Sequence, residues 1–171
     1  MFKKLKQELK TNGFRQGIYF GIIASTLTAL GLTISNYSTN ASFMIMVATI
    51  IGISISNALA DAFSIYMADD ANKDGSDGLI SAAVVFVCEL IIPYIFLIPF
   101  LFFDNTTAVR ISILLGTLTV LLSGYNLSKY NGRKEKEVVI DLFIYFVITM
   151  SIVFFTFYGG KLAMALTGQS I

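Results

Sequence analysis

The sequence predicts an all-α integral membrane protein in which five transmembrane helices form a single domain over residues 1–171. Hydrophobic residues make up 56% of the chain and charged residues only 13%, whereas a soluble domain carries about 25% charged residues. The mean hydropathy is +0.76. The apolar residues are gathered into stretches that reach the roughly 20 residues a helix needs to cross a bilayer. There are five such stretches, at 16–35, 43–68, 78–103, 108–128 and 138–166.

Each stretch has its own boundary signals. The first follows a basic segment, as in a signal peptide, but it lacks a clear small-residue cleavage site, so we expect it to be retained. The polar loop 36–42 separates it from the second. The third contains Pro93 and Pro99, which are expected to kink the helix. The loop 104–107 precedes the fourth, and the basic loop 129–137 precedes the fifth.

The placement of basic residues predicts the orientation of the chain. Ten of the 12 lysines and arginines lie in the N-terminal segment or in the loops 69–77 and 129–137, and only Arg110 and Lys161 lie at the opposite span ends. Cytoplasmic loops carry the excess of Lys and Arg. We therefore predict a cytoplasmic N-terminus and an outer C-terminus.

Composition excludes several classes of function. The formal net charge of +1 gives no reason to expect a nucleic-acid partner. The chain has no histidine and one cysteine, Cys88, so it lacks the commonest metal ligand and the commonest general base. No nucleophile has an evident base, and we do not expect an enzyme or a permanently bound cofactor. Any metal chemistry must use oxygen ligands.

Two carboxylates fall deep inside predicted spans, at Asp61 and Glu89. Insertion of a charged residue near the bilayer centre costs at least about 2.5–3.5 kcal/mol, so such residues usually line a functional path. Ser54, Asn57, Asp61 and Ser64 recur at helical spacing and share one face of the second span. They are candidate ligands of an ion path. The alternative is that Asn57 and Asp61 form hydrogen bonds between helices.

Pro93 lies four residues after Glu89 and has no N–H, so it cannot donate to the Glu89 carbonyl. A carboxylate and a free carbonyl oxygen are then expected at one level of the membrane, as in the broken helices of transporters. The alternative is a kinked packing helix with a protonated Glu89. Asp141, about one turn inside the fifth span, is expected to pair with Arg133 or Lys134.

The loop between the second and third spans has the order D-x-N-x-D-G, which matches the first half of a calcium-binding loop. The second half fails, because Ser81 stands where a bidentate Glu is expected. A solvated turn is the competing interpretation. The candidate cation-collecting residues are Asp70, Asn72, Asp74 and Asp77.

A ridge of small residues, Gly17, Gly21 and Ser25, runs along the first span at a spacing of four. Such ridges allow close helix contact. We take these three residues as candidates for a dimer interface, although such patterns are frequent by chance.

Four stretches together resemble the vacuolar iron transporter family, which includes nodulin-21-like proteins. They are GFRQGIYFGIIAS at 13–25, NALADAFSIYMADDA at 57–71, SAAVVFVCELIIPYIFLIPFLF at 81–102 and GRKEKEVVIDL at 132–142. The resemblance covers almost the whole chain in span count and local pattern, and its motifs are moderately specific. It implies a homodimer in which the first two spans line a path that exports ferrous or manganous ions from the cytoplasm in exchange for protons.

The sequence departs from the family at three places. Gln16 stands where the family usually has an acidic residue, and Asp61 falls near the family's pathway methionine. The Glu-rich segment between the second and third spans is absent, and only the loop 69–78 takes its place. The expected function is transport of a divalent cation, Fe or Mn first and Mg or Ca also compatible with oxygen ligands, with Gln16 at the cytoplasmic mouth. The alternative is a membrane interaction or assembly subunit that does not transport.

Overall fold

A computed structural model describes residues 12–71 and 78–168. Over these residues the chain is helical, without strands. The helices are Asn12–Ser38 (α1), Phe43–Ala71 (α2), Gly78–Ile95 (α3), Ile98–Phe102 (α4), Asn105–Tyr130 (α5) and Glu135–Leu166 (α6).

The predicted fold class is confirmed in its architecture. Five segments are long and apolar enough to cross a membrane: α1, α2, α3 together with α4, α5 and α6. Four of them cover their predicted stretch and extend beyond it by one to four residues at one or both ends, and the third, Gly78–Phe102, ends one residue short. These five segments fit a multi-pass membrane protein, whereas the orientation of the termini and the homodimer stay predictions.

The third span is two helices rather than one kinked helix. Pro93 lies inside α3, and the chain leaves the helix only after Ile95. Pro99 then lies in the first turn of α4, where its missing N–H would have no helical partner in any case. The N–H groups of Phe96 and Leu97 bond to the carbonyls of Pro93 and Tyr94, at 3.2 and 3.1 Å, in a tight turn between the two helices.

Helix α1 lies at the centre of the bundle and packs against α3, α5 and α6, while α2 packs mainly against α3. In the most apolar 18-residue stretch of α1, 50% is buried, compared with 22% in that of α2 and 11% in that of α6. A core of apolar side chains joins α1 to the neighbouring helices. Its buried members are Ala29, Leu30, Ile34, Phe96 and Val109.

The small-residue ridge on α1 is covered by α3 of the same chain. A Cβ atom added at Gly17 would lie 2.6 Å from the backbone oxygen of Ser81, and one added at Gly21 would lie 2.7 Å from Cβ of Cys88. Ser25 is also buried, and its hydroxyl donates to the Gly21 carbonyl. The ridge therefore packs against α3 of the same chain. A second copy of the chain could not contact this surface while α3 covers it.

Polar contacts fix the ends of α5 and α6. Asp104 caps α5 and accepts from the Thr107 backbone N–H at 3.1 Å, and hydrogen bonding by Thr107 lowers the pKa of Asp104 below its ordinary value. At the other end, Asp141 Oδ2 lies 3.3 Å from Arg133 Nε and accepts from Ser128 at 2.6 Å. The predicted pairing of Asp141 with Arg133 is confirmed.

Candidate functional site

The carboxyl groups of Asp61 and Glu89 are neighbours where α2 packs on α3. They are close enough for a hydrogen bond between them when one holds a proton, and for direct charge interaction when neither does. Glu89 is only 2% exposed, and its Oε1 is buried without a hydrogen-bond partner in the part of the chain that the structure describes. Asp61 is half-buried.

Both carboxyl groups lie deep in their spans. Glu89 is 11 residues beyond Gly78, which starts its span, and this corresponds to about 17 Å of helix. Asp61 is eight residues before Asp69, the end of its span, or about 12 Å. One turn before Glu89, Val85 is fully buried. In general, a carboxylate buried at such a depth in an apolar helix is costly unless it is paired or neutralised.

Asn57 extends this polar site to α1. It is half-buried one turn from Asp61, and its Nδ2 donates to Thr28 Oγ1 at 3.5 Å. This long hydrogen bond uses the amide nitrogen, so the amide oxygen of Asn57 takes no part in it. Three helices thus contribute to one polar cluster: Thr28 from α1, Asn57 and Asp61 from α2, and Glu89 from α3. We call this set the carboxyl cluster.

Ser54 and Ser64 lie on the same predicted face of the second span as Asn57 and Asp61, but their hydroxyl groups donate to backbone carbonyls of α2. Ser54 is buried and donates to the Ile50 carbonyl at 2.6 Å. Ser64 is exposed and donates to the Ala60 carbonyl at 2.7 Å. The predicted polar face therefore extends from the packed side of α2 at Ser54 to its open side at Ser64. Only Asn57 and Asp61, between them, belong to the carboxyl cluster.

The Glu89 carbonyl adds a further oxygen to this region. Pro93 lies within α3 and has no N–H to donate to that carbonyl. The spacing of Glu89 and Pro93 predicts a carboxylate beside a backbone oxygen that lacks its helical donor. The observed position of Pro93 inside α3 is compatible with this prediction.

Gln16 lies apart from the carboxyl cluster. It is exposed and lines a groove between α1 and α5 together with Arg15 and Tyr130. Gln16 lies five residues before Gly21, which is about 7.5 Å along α1. Gly21 packs beside Cys88, the residue that precedes Glu89. The guanidinium of Arg15 beside it disfavours cations in this groove, and the placement of Gln16 at the mouth of an ion path stays a prediction.

The predicted cation loop lies mostly outside the described residues. Asn72, Asp74 and Asp77 fall between the described ranges, and only the backbone of Asp70, in the last turn of α2, is described. Its ability to collect cations stays a prediction.

The contact between Asp61 and Glu89 was not predicted from the sequence, and neither was the part played by Thr28. Two ionisable residues on consecutive spans hint at a pair, but only the packing of α2 on α3 brings them together. Within residues 12–71 and 78–168, no three His, Cys, Asp or Glu side chains cluster as a ligand set for a metal. The carboxyl cluster of one chain thus contains two carboxylates and a few neutral oxygens.

Comparison with known proteins adds no identification. No protein-family model, curated protein or solved structure matches the chain.

Proposed function

We propose that this protein transports a divalent metal cation across a membrane, exporting it from the cytoplasm in exchange for protons. The observation that carries the proposal is the contact of Asp61 with Glu89 at a depth where apolar packing is the rule. Intramembrane carboxyl groups of this kind mark ion paths and proton relays. All the available donors are hard oxygens, which suit Fe²⁺ and Mn²⁺ and also Mg²⁺ and Ca²⁺.

Competition between protons and a cation for the same oxygens would couple the two fluxes. Two carboxylates in contact repel each other, so a proton bound to the pair relieves this repulsion when no metal ion is present. An arriving divalent cation replaces that proton, because its charge balances both carboxylates. Release of the cation to the other side lets the pair bind a proton again. The carboxyl cluster thus has the property that an antiporter needs.

A second copy of the chain would complete the ion site. The open side of α2 carries Gly52, Ser56, Ala60 and Ser64 at a spacing of four, and all four are exposed. We call this the α2 ridge. At Gly52, no atom of another helix lies within 4 Å of where a Cβ would be. Asp61 borders the ridge, since residues three apart are neighbours on a helix.

A dimer along the α2 ridge resolves two difficulties at once. It would shield the half-exposed Asp61 from lipid, and it would bring the carboxyl pairs of two subunits towards a common two-fold axis. Four carboxylates and their neighbouring amides could then surround one ion. This surface replaces the ridge on α1, which α3 covers, as the proposed dimer interface.

Cysteine cross-linking in membranes tests the dimer. In a Cys88→Ser background, we expect Ser56→Cys to form a disulfide-linked dimer efficiently on mild oxidation. Ile148→Cys is the matched control, because this residue is 46% exposed on α6, away from the proposed axis. Equal cross-linking at both positions, or none at position 56 in oxidised membranes, would contradict a dimer along α2.

Flux measurements with purified protein in proteoliposomes test the function itself. Fe²⁺, Mn²⁺, Mg²⁺ and Ca²⁺ are offered singly, with the pH of each side set independently. We expect flux of at least one of these ions, accelerated by an opposing proton gradient and accompanied by proton movement the other way. Absence of flux for the whole panel, together with co-purification of a stoichiometric protein partner, would instead favour a non-transporting assembly subunit.

A further inference from the structure

A groove of about 410 Å³ lies between the start of α1 and the end of α5, and none of the carboxyl-cluster residues lines it. Its charged member is Arg15, whose guanidinium carbon lies 4.1 Å from the centre of the Tyr130 ring. Among the described residues, no carboxylate lines the groove. The six lining residues are Asn12, Arg15, Gln16, Tyr19, Leu127 and Tyr130.

The environment of Arg15 differs from that of two other cations at this end of the bundle. Lys129 pairs with Glu135 at 3.0 Å, and Arg133 pairs with Asp141 at 3.3 Å. Arg15 has no ion pair with a carboxylate among the described residues, and it stacks on an aromatic ring instead. A stacked guanidinium keeps the N–H donors at its edge free for a bidentate anion.

The other lining residues fit a phosphate group attached to an apolar tail. The amides of Asn12 and Gln16 and the hydroxyls of two tyrosines can donate to phosphate oxygens. Leu127 adds apolar surface, and Phe20, which follows Tyr19 in α1, is 40% exposed. Because both walls are membrane-spanning helices, a ligand can enter from the lipid as well as from water.

We propose that this groove binds the phosphate headgroup of an anionic phospholipid. Basic pockets between spanning helices are a general mode of lipid headgroup recognition. Tyrosine and arginine also occupy the headgroup level of a bilayer favourably. The bound lipid would hold α1 against α5 at the end of the bundle where the chain enters the membrane. The proposal does not depend on ion transport.

Lipid-dependent thermal stabilisation in detergent tests the site, with lipid binding counted directly by native mass spectrometry. The probes are phosphatidylglycerol, phosphatidylcholine and inorganic phosphate alone. We expect a concentration-dependent rise in Tm with phosphatidylglycerol only, and roughly tenfold weaker binding after Arg15→Gln, as expected for loss of a charge-assisted pair. Arg15→Lys keeps the charge but loses the planar fork, and we expect it to weaken binding as well.

Lys136→Gln is the matched control, since Lys136 is exposed in the first turn of α6 and its loss changes the net charge equally. Equal weakening by Lys136→Gln would show attraction by general charge and overturn the proposal. Equal stabilisation by phosphatidylcholine, or by inorganic phosphate alone, would also overturn it. If Arg15→Gln fails to fold, Arg15→Lys compared with Lys136→Gln tests the same site.

Discussion

Replacement of Glu89 by glutamine is expected to reduce proton-coupled cation flux by roughly a hundredfold, because loss of even an outer-shell partner of a metal site costs 10–100-fold. The substitution keeps the shape of a side chain that is 2% exposed. It removes the negative charge and the site for an exchangeable proton. The amide can donate to Asp61, so the variant resembles the pair fixed in its protonated state and should fold normally.

Asp61→Asn is expected to have a comparable effect on flux, since it removes the other half of the same pair. If the two carboxyl groups act as one unit, the double variant should be little worse than either single variant, as occurs for residues that work together. If the two carboxyl groups acted as independent ligands, the fold reductions in flux of the two single variants would multiply in the double variant. Measurement of initial rates for all three variants in proteoliposomes, with and without a proton gradient, distinguishes these results.

Asp104→Asn provides the matched control for these variants. It makes the same chemical change outside the spans, at a position where asparagine caps a helix about as well as aspartate. Its flux should equal that of the unaltered protein. Full proton-coupled flux in both Glu89→Gln and Asp61→Asn would remove the carboxyl cluster from the mechanism, whatever the protein transports.

Different parts of the molecule were open to sequence reasoning to different degrees. The number of spans follows from bilayer thickness and apolar length alone. The depth of Asp61 and Glu89 follows from counting residues along each span. Their contact could not be predicted, because neither residue spacing nor hydropathy says which spans pack together. Helix α3, not α1, is the main neighbour of α2.

The ridge on α1 illustrates the same limit. Gly17 and Gly21 predict a close helix contact, and the contact exists. Spacing alone does not identify the helix that fills the ridge, and α3 of the same chain does so here. The break in the third span was also foreseen only in part. Two prolines predict a disturbed helix, but a tight turn places the break at residues 96–97, between them.

The close approach of α1 to α3 predicts that Gly17→Val destabilises the protein strongly, by ~1–3 kcal/mol or more. A Cβ atom there would lie 2.6 Å from the Ser81 backbone oxygen and 2.9 Å from Cβ of Val84. Backbone atoms cannot rotate aside, so the helices must separate. Separation would also stretch the 2.8 Å hydrogen bond that Ser81 donates to the Gly13 carbonyl.

Thermal unfolding in detergent measures this effect, and Gly159→Val supplies the control. Gly159 lies in α6, and no atom of another helix lies within 4 Å of where its Cβ would be, so valine there meets no steric obstacle. We expect a clear fall in Tm for Gly17→Val and little change for Gly159→Val. Because Glu89 lies two turns beyond Ser81 on α3, the displaced helix should also weaken ion flux. Equal Tm values for both variants would mean that α1 and α3 do not pack at this distance.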